Sequence, residues 1–338
     1  MQTGKQGKKN LFLVGLLVLF VCGGGAGWFG YTFLTTPGPP LSYPITIVVK
    51  KGSSFQMIAR NLQAEGLLTN RRLFTLWAQL SGRDRGMKRG EYLFTSPLSP
   101  LALLDRLEQG NVFRRAVTIP EGLTLAQIAV LLEKEGLGTT ESFLCLNTDP
   151  QFLVRWGLPT NSLEGYLYPA TYQFSVFASA EEILGTMIAR FYAAMDVDMY
   201  RRATELGLSL HELVTLASLV EKETGTPVER PLVAAVFHNR LRKGIRLQCD
   251  PTVIYGIKDF DGNITRRHLR TPNPYNTYVI GGLPVGPIAN PGLAALQAAL
   301  YPAGSDYLYF VARGDGTHQF STNLAEHNRA VWRFQKRS

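Results

Sequence analysis

The sequence predicts an α+β fold tethered to a membrane by its first segment, on three observations. An uncharged apolar run occupies residues 11–34. A short β-branched strand, a glycine turn and an amphipathic helix follow it, and the same unit recurs seventy positions later. The second half of the chain then carries a succession of helices with clear start signals. With 45% hydrophobic and 18% charged residues, the 338-residue chain is core-forming material rather than a disordered polymer.

The run 11–34 is long enough to cross a bilayer as a helix. Its glycines (Gly23, Gly24, Gly25, Gly27, Gly30) weaken a soluble helix but are common in membrane helices, and Trp28 and Tyr31 suit the outer interface. Lys5, Lys8 and Lys9 precede it, so the positive-inside rule puts residues 1–10 in the cytoplasm and everything after the span outside. The expectation is a single-pass protein of the cell inner (cytoplasmic) membrane with a periplasmic body. A cleaved signal peptide, or a lipid anchor on Cys22, are the alternatives. Both fit less well, because no small-x-small cleavage site follows a short apolar segment and Leu19-Phe20-Val21 is a poor approach to a lipidated cysteine.

Residues 35–44 contain Pro37-Gly38-Pro39-Pro40, which cannot continue a helix and reads as a linker. The first globular module is expected over 45–120. It opens with a strand at 45–49, turns at Lys51-Gly52-Ser53-Ser54, and continues as a helix burying Phe55, Ile58, Ala59 and Leu62. In the repeat, Gly52 corresponds to Gly122, Ile58 to Ile128, Leu62 to Leu132, and Glu65-Gly66-Leu67 to Glu135-Gly136-Leu137. Between the copies lie a strand at 90–94 and a helix at 100–109 stopped by Gly110. Such βα units resemble LysM-type modules, which bind polysaccharide containing N-acetylglucosamine; packing alone would equally explain them.

A formal charge of +9 favours an anionic partner. No basic stripe interleaved with aromatics and no DNA-binding motif accompanies it, so nucleic acid is not expected. Cys22, Cys145 and Cys249 are scattered, and the five histidines lack a paired metal-ligand spacing, so neither a disulfide framework nor a metal site is expected.

The remaining residues, 121–338, carry the candidate chemistry. Ser209 and Glu212 form a capping box that starts a helix through Leu213, Val214, Ala217 and Val220 to Glu221. Helical spacing puts Glu221 within the apolar stripe and Glu223 on nearly the opposite side. Buried without a cationic partner, Glu221 would stay protonated near neutrality, as a general acid must; turned toward solvent or paired with a basic residue, it would be an ordinary helix-end carboxylate. A second helix starts at Pro227, with Glu229 as its cap, and runs to Gly244. Gln248, Asp250, Thr252, Tyr255, Tyr275, Asn276, Thr277 and Tyr278 follow, a mixture of aromatic and small polar groups suited to sugar.

The runs Leu216-Ala217-Ser218-Leu219-Val220-Glu221-Lys222-Glu223-Thr224, Phe237-His238-Asn239-Arg240-Leu241, Gln248-Cys249-Asp250-Pro251-Thr252 and Pro274-Tyr275-Asn276-Thr277-Tyr278 resemble those of the MltG (YceG-like) endolytic murein transglycosylases. Ser162-Leu163-Glu164-Gly165-Tyr166 and His318-Gln319-Phe320 extend the likeness, which covers essentially the whole chain. It implies Glu221 as the catalytic glutamate, with Glu164, Glu223, Asn239, Gln248, Asp250, Thr252, Tyr255 and Tyr275 to Tyr278 binding the glycan. His318 and His327 are either site residues or satisfied structural histidines. Cys249 stands where the family suggests Thr or Ser, and Ala170 where it suggests Asp. The resemblance further implies no metal or nucleotide cofactor, peptidoglycan glycan strands as substrate, and peptidoglycan synthases (penicillin-binding proteins) as partners.

The implied reaction protonates the glycosidic oxygen leaving N-acetylmuramic acid and lets that sugar's C6 hydroxyl attack C1, leaving a 1,6-anhydro end within nascent strands. One carboxyl can serve as acid and then as base. A hydrolase normally needs two carboxyls, and Asp250 or Glu164 could supply the second, so a muramidase is the first alternative. A non-catalytic, membrane-tethered peptidoglycan-binding scaffold is the other.

Overall fold

The computed structural model describes residues 21 and 23–335. Most of the expected membrane span therefore lies outside the described residues, and among those described no helix is long and apolar enough to cross a membrane. Residues 23–35 are helical. The chain divides into two compact units, one formed by residues up to Arg115 with Ser175–Phe177, the other by Ala116–Phe174 and Ala178 onward.

The first unit orders β1 (Ile45–Val49), α1 (Phe55–Ala64), α2 (Arg71–Leu80), β2 (Gly90–Phe94) and α3 (Pro100–Gln109). β1 and β2 pair antiparallel, with Ile47 opposite Tyr92. The alternating burial of β1 puts Ile45, Ile47 and Val49 inward against Phe55, Leu62, Phe74 and Leu104. Each helix starts on a side-chain cap: Ser54 accepts the Met57 N–H, Asn70 those of Arg72 and Leu73, and Ser99 that of Ala102. Gly110, at φ +71°, ends α3 as its spacing predicts.

The second unit opens with β3 (Arg115–Thr118), α4 (Leu125–Lys134), α5 (Thr140–Asn147), α6 (Pro150–Arg155) and β4 (Thr171–Phe174), β3 pairing with β4. α4 is the second copy of the repeat. Thr124 caps it as Ser54 caps α1, Gly122 and Gly52 share a positive φ, and Ile128 and Leu132 are buried like Ile58 and Leu62. Helices α7 (Ala180–Ala194), α8 (Val197–Glu205), α9 (Leu210–Glu223), α10 (Arg230–Arg242), α11 (Asp250–Tyr255), α12 (Arg266–Arg270) and α13 (Leu293–Leu300) follow. The antiparallel hairpin β5 (Tyr309–Ala312) and β6 (His318–Ser321), then α14 (Leu324–Gln335), complete it. These small two-stranded sheets among many helices make the α+β class.

Helix α9 is the centre of this unit, packed by α8, α10, α11 and α13. Every residue from Leu213 to Val220 is buried, so the helix has no solvent face over two turns. The polar members of that stretch are satisfied internally: the Thr215 hydroxyl donates to the His211 carbonyl, and Ser218 Oγ donates to the Thr215 carbonyl and accepts the Ile288 N–H. The second expected helix start differs. Pro227–Glu229 is a 3-10 turn, and the Glu229 side chain does not cap α10. It is buried and holds His318 instead.

Candidate functional site

The sequence places two carboxyls at the end of α9, and the surroundings of each decide what it can do. Glu221 Oε1 accepts from Arg230 Nη2 at 3.1 Å and Oε2 accepts the Gly292 N–H at 3.0 Å, with only 6% of the side chain exposed. Glu121 Oε2 approaches the same Arg230 Nη2 at 3.7 Å. A cation therefore faces Glu221, as in the alternative of a helix-end carboxyl paired with a basic residue, and the carboxyl ties together the starts of α10 and α13. Its neighbour Lys222 donates to the Gly122 carbonyl at 3.2 Å.

Glu223 stands in a different setting. It lines a groove of about 490 Å³ with Arg240, Gln248, Asp250, Tyr278 and His318. Hairpin β5–β6 contributes Tyr309 to Ala312, and α14 contributes His327 and Asn328. Burial pushes the Glu223 carboxyl up to about 7, and the Asp250 charge adds to the rise; the Cys249 thiol, His318 and Arg240 oppose it. Near neutrality it is thus divided between acid and carboxylate. Burial also keeps Cys249 a neutral thiol, its own pKa driven well above the ordinary value, and the thiol hydrogen-bonds Glu223.

The rest of the groove is braced from behind. Asp250 Oδ1 accepts from the Tyr278 hydroxyl at 2.6 Å. Gln248 holds a left-handed backbone, φ +52°, with its N–H donating to the Thr277 carbonyl and its Oε1 accepting from Arg240. A non-glycine residue in that region is strained, and here the strain turns an amide toward the groove. Arg240 is 7% exposed and donates to the carbonyls of Leu308, Arg246 and Leu247, while its guanidinium lies 5.0 Å from the Tyr309 ring centroid. His318 Nδ1 meets Glu229 Oε2 at 2.7 Å, and His327 stacks on Tyr309 at 5.1 Å.

Several residues expected to touch glycan are instead part of the frame. Glu164, 4% exposed, accepts the Leu125 N–H, the Asn290 amide and the Tyr255 hydroxyl, each at 3.0 Å. Tyr275 packs edge-on against Tyr255 at 4.7 Å. Asn276 donates to the carbonyls of His268, Leu269 and Thr271, and Thr252 and Thr277 bond each other's hydroxyls at 2.9 Å while gripping the Cys249 backbone. Asn239 donates to the carbonyls of Ser305 and Tyr307, and so fixes the approach to β5. None of these seven lines the groove: Glu164, Asn276, Thr252, Thr277 and Asn239 are held by backbone partners, Tyr255 by the Glu164 carboxyl and Tyr275 by the Tyr255 ring. Of the expected set, Glu223, Gln248, Asp250 and Tyr278 line it.

Arg240 and Tyr309 line it without having been expected to, together with His318 and His327. Arg240 follows Asn239 in a run that already stood out, and that run was the available signal. The two histidines, open between site and structural roles in the sequence, line the groove through the hairpin and α14, and His318 is at the same time held by Glu229.

The sequence profile of the YceG-like family matches residues 47–333. The chain belongs to the YceG-like family. Among relatives of this YceG-like chain is an endolytic murein transglycosylase of Bacillus subtilis (strain 168), 33% identical over 324 residues, covering 91% of this chain and 89% of that one. Another, from Streptococcus pneumoniae (strain D39), is 31% identical over 360 residues and covers 95% of this chain, which spans 64% of that protein's length. The crystal structure of a yceG-like protein of Listeria monocytogenes matches with a TM-score of 0.60 at 32% identity, over 86% of this chain and all but 1% of the other, 99% being covered.

Proposed function

We propose that this protein is an endolytic murein transglycosylase and that Glu223, rather than Glu221, is its acid. The observation that carries the reading is Glu223 itself: a carboxyl held near pKa 7 in an open groove whose other walls offer an amide, a carboxylate, a phenol and a guanidinium. The family membership and the names of the relatives supply the substrate class, peptidoglycan glycan strands.

In the first half-reaction the protonated Glu223 gives its proton to the glycosidic oxygen as the bond from C1 of N-acetylmuramic acid breaks. Positive charge develops at C1 and the ring oxygen, beside the carboxylate just formed. In the second half the C6 hydroxyl of the same sugar attacks C1, and its proton returns to Glu223, leaving the 1,6-anhydro end and a reset acid. Water is not consumed. Asp250, fixed by Tyr278, and Gln248, fixed by Arg240, orient the sugar hydroxyl and acetamido groups.

Asp250 in the same groove supports a second reading, a muramidase in which it activates water. Mass analysis of peptidoglycan digested by the full chain in detergent separates the two. Anhydro-muramyl ends are expected; reducing ends would establish the hydrolase, and no cleavage would favour the non-catalytic scaffold. The apolar run 11–34 and the lysines before it support a membrane anchor with both units on the outer side. An enzyme so held cuts strands beside the synthases that extend them, which makes those synthases its expected partners.

A further inference from the structure

The charge of this protein is unevenly shared. Residues 45–115 carry twelve Lys and Arg against five Asp and Glu, whereas residues 116–338 carry twenty against twenty-one. All the positive excess of the globular part therefore sits in the first unit, and the proposed chemistry, which lies in the second, does not use it.

That unit is also fastened to the helical stretch 23–35. Phe33 packs on its core, and Phe29, Thr32 and Phe33 line one cleft with Leu67, Leu68 and Thr69. On the same stretch Trp28, Phe29 and Tyr31 are 72%, 61% and 62% exposed, an aromatic belt of the kind that marks a membrane–water boundary. α2 begins two residues after Thr69, so it starts at that boundary. Its inward row is Phe74 and Ala78; its outward row, at helical spacing, is Arg72, Leu76 and Leu80. Leu76 is 52% exposed and Leu80 79%. Past the end of α2 the loop to β2 exposes Arg85, Lys88 and Arg89, whereas Arg83 is occupied by Asp105 and Glu108.

We propose that the outward face of α2 and the basic loop after it form a second membrane contact, seated on the anionic phospholipid headgroups of the bilayer that holds the protein's own apolar segment. Leu76 and Leu80 enter the headgroup–acyl boundary, and Arg72, Arg85, Lys88 and Arg89 meet phosphates. An exposed pair of leucines flanked by cations that have no ion pair among the described residues fits an interface that is apolar below and negative above. Docking would fix the height of the first unit above the bilayer. The inference rests on the membrane-anchor reading above.

The test uses the full chain reconstituted in nanodiscs of phosphatidylcholine alone or mixed with phosphatidylglycerol, with amide hydrogen exchange read over residues 71–89 and retention in the discs scored after a high-salt wash. The protein is expected in both discs, with slower exchange over 71–89 only where anionic lipid is present. Each cation removed in the variant R72Q/R85Q/R89Q should lower the docked-to-undocked ratio about fivefold at low salt. The variant L76S/L80S should lose the protection while staying in the discs. Identical exchange in the two lipids with full retention overturns the docking and leaves the anchor standing; loss of the protein from both discs overturns the anchor and the docking with it. Protection conferred by soluble glycan strands but not by lipid also overturns it, in favour of a sugar-binding face.

Discussion

Glu164→Gln separates the two things a buried carboxyl can be, a satisfied anion or a desolvated acid. Leu125, Tyr255, Gly165 and Asn290 all donate to Glu164, yet its burial outweighs these four and pushes it up to about 7. Measured from the ordinary value of 4.5, that rise corresponds to about 3 kcal/mol. The sign follows from the direction: the unfolded chain releases this proton at lower pH than the folded one, so the stability contributed by Glu164 is complete below the unfolded value and is lost as pH rises through about 7. Glutamine fits the site, since its oxygen can accept from Leu125 N–H and Asn290 as Oε1 does, and its amide can donate to the Tyr255 oxygen. The variant should therefore lie within about 1 kcal/mol of the unmodified protein near pH 5 and gain on it by about 2–3 kcal/mol near pH 8. Urea unfolding at the two pH values, read as the difference between the proteins, cancels every other titrating group. A variant that loses more stability at the higher pH than at the lower would refute the reasoning, because it would mean that the donors outweigh burial.

With Glu223 as the acid, kcat/KM should fall about tenfold per pH unit above about 7 as its proton is lost. A pH–rate profile flat to pH 9 or so would count against that. Cys249→Ser replaces a weak thiol donor to Glu223 with a stronger hydroxyl, so the alkaline limb should move to lower pH; an unmoved or raised limb contradicts it. Tyr278→Phe removes the 2.6 Å bond to Asp250 and should lower kcat/KM about tenfold with little change in melting temperature, as steady-state kinetics and a thermal scan would show. Gly165→Ala puts a Cβ 2.6 Å from Pro287 and 2.7 Å from Val214 at a φ of +90°, and should destabilise by about 3 kcal/mol or more. A melting temperature equal to that of the unmodified protein would show that this turn can give way.

The repeated strand, turn and helix could be read from the sequence because its signals are local: a positive-φ glycine, a hydroxyl cap and a helical period, present in both copies. The two ends of α9 were legible to different degrees. Its capping box acts within four residues, and Ser209 and Glu212 form it as expected. Which glutamate meets the groove depends on partners far along the chain. Periodicity assigns an inner and an outer face, but α10, α11 and α13 enclose α9 on all sides, so an apolar stripe carries no information about where a cavity opens. Arg230 reaches Glu221, whereas Cys249, Asp250 and His318 surround Glu223. Likewise Asn239 and Arg240 are adjacent in sequence and about 100° apart on α10, and only Arg240 lines the groove. Glu164 reads as a glycan ligand until Asn290, 126 positions later, turns it inward.

An acid at Glu223 and a brace between helix starts at Glu221 make opposite demands on two variants. Full-length protein, Glu223→Gln and Glu221→Gln, each checked for folding by circular dichroism, are incubated with peptidoglycan and the anhydro-muramyl ends counted by mass spectrometry. Glu223→Gln should make none above background, while Glu221→Gln should melt at a lower temperature but still make them. Anhydro ends from Glu223→Gln, with none from a folded Glu221→Gln, would contradict this and return the acid to Glu221.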